Sequence, residues 1–313
     1  MNLEYLPFEQ EIAQIEAAIA ALRNESTQDG EAIARQIEQL ELKSRCCTEK
    51  IYANLSVWQS VQVARHPKRP YTLDYIPLIF TEFQELQGDR HVLEDGAIVG
   101  GLAQFKEQTV MVIGHQKGRT TQEKIARNFG MPRPEGYRKA LRLMQLAAKF
   151  DFPIITFIDT AGAYPGIDAE ARNQSEAIAK NIQVMARLPV PIIAIVTGEG
   201  SSGGAIALGV ADCMAMLQYG IYCVITPEGC ASILWKDIGR AAEAAEAMGV
   251  TAQQIEPLDI LDTILKEPLG GAHRDPQKMA SRLSAFIDQQ LTILKRMPVA
   301  ELLKKRQEKL LRF

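Results

Sequence analysis

Two segments of the chain, PIITFIDTAGAYPG (residues 153–166) and PIIAIVTGEGSSGGA (residues 191–205), share one pattern. Each begins at a proline, continues as a short apolar run rich in β-branched residues, and ends in glycines and other small residues. A continuous apolar run of this length, bounded by proline and glycine, predicts a strand that is buried on both faces. Between the runs, Ile178, Ile182 and Met185 recur at helical spacing, which predicts a strand–helix–strand unit with parallel strands.

The glycine-rich ends of two such strands are expected at the same edge of one sheet. This edge is where α/β folds bind their ligands. Free backbone N–H groups at such turns can bind an anion or a developing oxyanion without any side-chain chemistry. The candidate functional site therefore lies in these two glycine segments.

The composition is that of an ordinary folded protein, with 47% apolar and 23% charged residues among 313 and a net charge of −3. This charge gives no support for nucleic acid as the main partner. No apolar run is long enough to span a bilayer and the N-terminal sequence MNLEYLPFEQE is too acidic for a signal peptide, so a cytoplasmic location is expected. The five cysteines lack CxxC spacing, which predicts reduced thiols and no metal site in this chain.

The pattern divides the chain into an N-terminal helical hairpin, residues 1–56, and an α/β domain with C-terminal helices, residues 57–313. Apolar residues recur at helical spacing in residues 12–22 and 33–40, on either side of the turn-like sequence NESTQDG (residues 24–30). Early in the larger domain, the basic sequence RHPKRP (residues 65–70) fits either a solvated connector or a phosphate-binding patch.

Further elements follow from periodicity and turn residues. A hairpin is predicted over residues 97–105 and 109–114, and a helix over residues 138–149. The apolar face of that helix is predicted to consist of Leu141, Met144, Gln145 and Ala148. The remaining predictions are a helix from about Gly204, strands near Met214 and Cys223, and mainly helix after Pro227.

The sequence GEGSSGGA (residues 198–205) matches three known motifs. A dinucleotide-binding GxGxxG motif is disfavoured, because the crossover to the next strand is too short and that strand does not end in an acidic residue that could bind the ribose. As a P-loop it fails, because Gly204 and Ala205 stand where Lys and Ser/Thr are required. As a nucleophile elbow it would use Ser202, with one of the four histidines as base, and this interpretation stays open. Close packing of a helix start against a strand also explains the glycines.

Polar residues follow two of the predicted strands. Asp159 ends the first apolar run and is a candidate general base, although capping of the loop's own amides is the favoured interpretation. The sequence GHQKGR (residues 114–119) combines Lys117 and Arg119 with glycine, as a loop that contacts an anionic ligand would, or a solvated basic loop.

Longer segments carry a family resemblance. They are WQSVQVARHPKRPYTLDYI (58–76), GHQKGR (114–119), NFGMPRPEGYRKALRLM (128–144), FIDTAGAYPG (157–166), QSEAIA (174–179), GEGSSGGA (198–205), TPEGCASILWKD (226–237) and EPLGGAHR (267–274). Together they resemble the carboxyltransferase α subunit of multi-subunit acetyl-CoA carboxylase. The resemblance runs over nearly the whole chain and is weakest in the N-terminal helices.

That resemblance implies a crotonase-like fold, a spiral of ββα units with an N-terminal helical extension and C-terminal helices. It implies transfer of a carboxyl group from carboxybiotin to acetyl-CoA, giving malonyl-CoA for fatty acid synthesis. The implied partners are a carboxyltransferase β subunit with a zinc ribbon (in an α2β2 assembly), the biotin carboxyl carrier protein and biotin carboxylase, with no membrane and no nucleic acid. This chain has neither the CxxC pairs of the β subunit nor the Met-Lys-Met sequence of the carrier.

The resemblance also implies site residues. Gly203 and Gly204 would form an oxyanion hole on the biotin side. The residues implied to contact substrates are Ala161, Gly162, Ala163, Gly200, Ser201, Lys117 and Arg119. Family members usually read DTPGAYPG and EGGSGGA, so Ala161 replaces a proline and Ser201 replaces a glycine, which affects loop shape rather than mechanism.

Three other functions remain open at this point. They are a crotonase-fold serine hydrolase that uses Ser202, a subunit of a related acyl-CoA carboxylase, and a non-catalytic scaffold. A zinc-bearing partner would favour the transferase, and labelling of Ser202 by a fluorophosphonate would favour the hydrolase.

Overall fold

The structure, a computed structural model, describes residues 4–24 and 30–312. Its strands in those ranges are β1 (Thr81–Glu85), β2 (Ile98–Phe105), β3 (Gln108–His115), β4 (Ile154–Thr160), β5 (Ile192–Ser201), β6 (Cys213–Leu217), β7 (Ile221–Cys223) and β8 (Thr263–Leu265). The α-helices are α1 (Gln10–Asn24), α2 (Gly30–Tyr52), α3 (Val57–Ala64), α4 (Thr72–Ile79), α5 (Thr121–Ala126), α6 (Pro134–Lys149), α7 (Ile167–Ala171), α8 (Gln174–Met185), α9 (Ser202–Ile206), α10 (Pro227–Trp235), α11 (Ala241–Met248), α12 (Ala252–Ile255), α13 (Pro276–Leu294) and α14 (Val299–Leu310). None of the helices in the described ranges is both long enough and apolar enough to cross a membrane.

The two apolar runs form adjacent parallel strands, β4 and β5, as predicted. The sheet order is β1-β2-β3-β4-β5-β6-β8, and β7 pairs with the end of β5. The β1–β2 and β2–β3 pairs are antiparallel, so the predicted hairpin is confirmed, and the remaining pairs are parallel. Every residue of β4 and β5 is buried.

Alternate residues of the central strands face two separate apolar clusters. Ile154 and Ile158 face a cluster that includes residues of α6 and α8, whereas Ile155 and Phe157 face one that includes residues of α4 and α13. Because helices cover both faces, the strand sequences are continuously apolar instead of alternating. This layered core fixes the positions at which the glycine segments leave the sheet.

The N-terminal helices α1 and α2 form the predicted hairpin. Ser44 Oγ of α2 donates a hydrogen bond to Glu16 of α1 at 2.6 Å. The N-terminal segment also contacts the rest of the chain, since Arg274 donates at 2.7 Å to Glu9 Oε1. The same oxygen accepts a hydrogen bond from Tyr52 OH of α2 at 2.9 Å. The predicted turn falls largely on residues 25–29, which lie outside the described residues. The domain boundary at residue 56 stays a prediction.

Some sequence-based predictions were wrong in detail. Helix α6 begins at Pro134 and buries Tyr137, Ala140, Leu143, Met144 and Ala147, whereas Gln145 is exposed. The buried face is offset from the predicted one by about one residue, and Met144 belongs to both. The chain after Pro227 also contains β8, a three-residue strand beside β6 that is too short to show a pattern.

The basic segment at residues 65–70 is neither a solvated connector nor a phosphate-binding patch throughout. Arg69 is fully buried and donates to both carboxylate oxygens of Glu267, at 2.9 and 2.6 Å. Its Nε donates to the carbonyl of Thr197 in β5 at 2.6 Å. A fully buried guanidinium needs such a paired carboxylate, so this segment fastens the chain to the central strand.

Candidate active site

The second glycine segment is mostly strand rather than loop. β5 continues to Ser201 because its end pairs with β4 on one side, through Thr160 and Gly200, and with β7 on the other, through Ser201 and Cys223. Helix α9 therefore begins at Ser202, earlier than the predicted start near Gly204.

The two glycine segments touch, as the sequence predicted. A Cβ atom at Gly204 would lie only 2.8 Å from the carbonyl carbon of Gly162, so no side chain fits between them. Gly162 itself has φ +141°, a backbone conformation that L side chains rarely adopt. A Cβ atom at Gly203 would instead meet the end of the Ile178 side chain at 3.1 Å. Gly204 is thus a packing glycine, whereas Gly203 faces a side chain that can move.

Ser202 occupies a strand-to-helix turn with φ +56° and is exposed. This geometry resembles a nucleophile elbow, but all four histidines are described and none hydrogen-bonds Ser202. His66 and His273 stack on each other at 3.7 Å, His115 Nδ1 accepts from the Asp159 amide at 3.4 Å, and His91 lies between β1 and β2. A serine nucleophile would have no base in this arrangement.

A mainly apolar cavity of about 400 Å³ opens beside α9. Ser202 and Gly203 line one part of it, and the other lining residues are Ile206, Tyr222, Cys223, Val224, Met248, Gly249, Ile255, Leu258 and Ile260. Sequence analysis missed these apolar residues because they come from segments far apart in the chain and carry no chemical motif. The cavity is large enough for a small ring system with an apolar chain.

The other predicted residues of the two glycine segments do not line this cavity. Ala161 and Ala163 are half-buried after β4, on either side of buried Gly162. Gly200 and Ser201 are buried in β5, where Ser201 Oγ lies 3.0 Å from Cys223 Sγ. The structure therefore gathers the glycine-segment residues around one junction.

Lys117 and Arg119 border a different cavity, of about 270 Å³, that shares no lining residue with the first. Arg119 stacks over the Tyr71 ring at 4.6 Å and pairs with Asp74. Lys117 Nζ lies 2.7 Å from Asp159 Oδ1 and 2.8 Å from Glu199 Oε2. Both cations thus already have carboxylate partners within the chain.

Glu199 is at the centre of a buried ion network. Besides Lys117, it accepts a hydrogen bond from Arg65 Nε at 2.7 Å, and Arg65 also pairs with Glu228 at 2.5 Å. Burial alone would raise the pKa of Glu199, but the charges of Lys117 and Arg65 outweigh burial and lower that pKa to about 2. Burial likewise opposes the charge of Lys117, yet Asp159 and Glu199 raise its pKa. Glu199, Lys117 and Arg65 therefore stay charged near neutral pH.

The position of Asp159 corrects one sequence-based interpretation. Its Oδ1 accepts the amide of Glu199 in the neighbouring strand at 2.9 Å, so it does not cap amides of its own loop. Arg65, Glu199 and Glu228 were not recognised as interacting residues. Their pairing joins segments 134 and 163 residues apart, which no local pattern can reveal. Within the described ranges, no group of three or more His, Cys, Asp or Glu side chains could hold a metal ion.

Comparison with solved structures identifies the class of fold. The chain superposes on the beta subunit of geranyl-CoA carboxylase from P. aeruginosa with a TM-score of 0.56 and 18% identity, covering 75% of this chain and 44% of that subunit. It superposes on a chain of a Pseudomonas malonate decarboxylase hetero-tetramer, solved in complex with coenzyme A, with a TM-score of 0.57 and 16% identity, covering 68% and 85% of the two chains. The fold is crotonase-like, which confirms the predicted fold class.

Sequence comparison narrows this class to one family. The model of the family described as acetyl co-enzyme A carboxylase carboxyltransferase-like matches residues 5–313. The chain is 58% identical over 313 residues to the acetyl-coenzyme A carboxylase carboxyl transferase subunit alpha of Pseudomonas entomophila, covering 100% of this chain and 99% of the relative. The chain belongs to this carboxyltransferase family, so the resemblance seen in the sequence is confirmed.

Proposed function

We propose that this chain is the α subunit of an acetyl-CoA carboxylase carboxyltransferase, which moves a carboxyl group from carboxybiotin to acetyl-CoA and forms malonyl-CoA. This reaction is the first committed step of fatty acid synthesis. The observation that carries the proposal is the 58% identity, over the whole chain, to curated α subunits of that enzyme. The junction of two glycine segments beside an apolar cavity supports it, because carboxyl transfer needs donors for developing oxyanions.

The chain's main contribution is a set of backbone donors. Gly203 and Gly204 lie in the first turn of α9, whose N–H groups have no partner within the helix. Donors of this kind, fixed before the reaction starts, stabilise negative charge as it forms, and each is worth about 10²–10³ in rate. We assign both glycines to the oxyanion hole on the biotin side.

We propose that the cavity of about 400 Å³ is the binding site of the biotin group. Carboxybiotin bound here would supply the carboxyl group and a ureido group able to accept the methyl proton of acetyl-CoA, with the N–H groups of Gly203 and Gly204 placed to stabilise negative charge on it. Ser202 and Gly203 line this cavity, and Gly162 lies beside Ser202, since a Cβ atom at Gly162 would be 3.5 Å from Ser202 Cβ. We assign Ala161 and Ala163, which flank Gly162 in the chain, to the same side of the site. Gly200 and Ser201 support it from within β5. Contact of Lys117 or Arg119 with CoA or the carboxylate stays a prediction.

Partners follow from the relatives, which are named as α subunits of a larger enzyme. We propose a β subunit with a zinc ribbon in an α2β2 assembly, and a biotin carboxyl carrier protein and biotin carboxylase that supply the donor. The proposed location is cytoplasmic. Stoichiometric zinc in the separated α chain, measured by elemental analysis, would contradict the expectation that the metal belongs to the β subunit.

The proposal is tested by assaying the chain assembled with its β subunit. Decarboxylation of malonyl-CoA to acetyl-CoA that depends on added biotin is the expected result. Biotin-independent cleavage of the thioester, with fluorophosphonate labelling of Ser202, would instead support a serine hydrolase.

A further inference from the structure

Lys117 lies where three neighbouring parallel strands end. It follows β3, and its ammonium group lies within 2.8 Å of Asp159 in β4 and Glu199 in β5. Its ion pairs therefore connect the two strands that carry the glycine segments. Its aliphatic chain is enclosed as well, since a Cβ atom at Gly130 would lie 2.5 Å from Lys117 Cγ.

The carboxylates that it joins are tightly packed. Asp159 and Glu199 are 1% and 4% exposed. A Cβ atom at Gly198 would lie 2.5 Å from Asp159 Oδ1, so the aspartate lies directly against the β5 backbone. Its Oδ2 is buried without a hydrogen-bond partner among the described residues. Lys117 is the only cation in salt-bridge contact with Asp159 among the described residues, with the buried Arg69 acting on it from farther away, whereas Glu199 is also paired directly with Arg65.

Removal of the lysine charge would leave the carboxylates of Asp159 and Glu199 close together in a buried site with little access to water. Such an uncompensated buried charge is costly, and the strands can relieve the repulsion only by moving apart or by admitting water. The displaced backbone would be residues 199–201 at the end of β5 and, with them, the first turn of α9.

We propose that Lys117 is a positioning residue, which holds the ends of β4 and β5 at the spacing that presents the N–H groups of Gly203 and Gly204. The inference rests on the proposed function for its kinetic consequences. This role is an alternative to the substrate contact that the family resemblance implies for Lys117, because here Lys117 acts through Asp159 and Glu199.

The test uses Lys117→Met, the double variant Lys117→Met with Asp159→Asn, and the control Lys295→Met, whose exposed lysine hydrogen-bonds Gln108 at the start of β3. Each is assayed as the αβ complex for biotin-dependent decarboxylation of malonyl-CoA. Lys117→Met should lower kcat at least about tenfold while the KM values for biotin and malonyl-CoA change less than about threefold.

The double variant should recover most of the lost kcat, because it removes the uncompensated charge and keeps an acceptor for the Glu199 amide. Failure of the double variant to recover, or a rise in KM that accounts for the loss, would overturn the proposal in favour of a ligand role for Lys117 or a base role for Asp159. Lys295→Met should match the unmodified complex.

A second measurement does not depend on carboxyl transfer. Hydrogen exchange of residues 198–206 in the full chain should be at least about tenfold faster in Lys117→Met than in the unmodified chain, and slower again in the double variant. Unchanged exchange would contradict the positioning role even if the Lys117→Met variant fails to assemble. An inactive unmodified complex with the expected exchange pattern would contradict the proposed function alone.

Discussion

Gly203 and Gly204 are adjacent, yet a side chain at each position would meet a different neighbour. At Gly204 a methyl group would overlap the Gly162 backbone, and at Gly203 it would press on the movable end of Ile178. We expect Gly204→Ala to lower the free energy of unfolding by about 1–3 kcal/mol, and Gly203→Ala by less than about 1 kcal/mol. Denaturant unfolding of the two variants checks this, and equal losses would show that the backbone contact is not what requires glycine at 204.

Ser202 is the residue on which the transferase and hydrolase interpretations differ. It lacks a histidine partner, so we expect Ser202→Ala to keep carboxyl transfer within about threefold of the unmodified complex. Steady-state assay of the assembled variant is the measurement. A loss of about a thousandfold in the rate of carboxyl transfer, in a variant that still assembles, would instead support an acyl-enzyme mechanism.

Helix α14 shows how one buried charge fastens an element. Arg306 is 1% exposed, and its guanidinium pairs with Asp212 at 2.7 Å and donates to the carbonyls of Met185, Leu188 and Val190. Removing one member of a buried pair leaves the other uncompensated, so Arg306→Met should cost about 3–5 kcal/mol of unfolding free energy. The matched control is Lys305→Met, which breaks only an exposed pair with Glu301 and should change stability by less than about 0.5 kcal/mol. Similar effects of the two substitutions would contradict this account of α14.

The elements that the sequence predicted well are those whose formation depends on patterns among residues close together in the chain. β4, β5 and α8 follow from apolar periodicity, and the hairpin of β2 and β3 follows from two runs around a short turn. The two glycine segments were singled out because glycine at a strand end is informative by itself, whereas the roles of Gly203 and Gly204 came from the family resemblance.

What escaped prediction depends on distant pairing. The sequence around Arg69 is typical of a basic linker, and only the folded structure shows that Arg69 pairs with Glu267, 198 residues away. The extension of β5 through Ser201 depends on β7, and the apolar cavity depends on residues from several separate segments. Such features arise from tertiary contacts, which a single sequence does not display.

At the scale of the whole molecule, three buried histidines make stability depend on pH. Burial lowers the pKa of His115 to about 3 and that of His273 to about 2, with further lowering by Lys117 and His66 respectively, and burial also lowers the pKa of His66. In the unfolded chain these groups titrate near pH 6.5, so below that pH the unfolded state binds more protons. Stability is therefore fully present above about pH 6.5 and is lost as the pH falls towards the folded-state values.

Each such group weakens the fold by up to about 1.4 kcal/mol per pH unit below 6.5. Denaturant unfolding at pH 7.5, 6.5 and 5.5 should show a clear loss only in the last step. His273→Gln should reduce that loss, and His91→Gln should not, because His91 is exposed. Stability that is constant down to pH 5.5 would contradict this prediction.

The central claim is that this chain supplies one side of an active site completed by a second subunit. Carboxyl transfer develops negative charge on two groups, and in the described part of the chain the segments 153–166 and 191–205 meet at one junction. The direct measurement is biotin-dependent decarboxylation of malonyl-CoA by the purified chain alone, by the β subunit alone, and by the two combined, with the native mass of each sample. We predict negligible activity for either chain alone and full activity for the assembled complex. Full activity from the purified chain, free of any partner, would contradict the account.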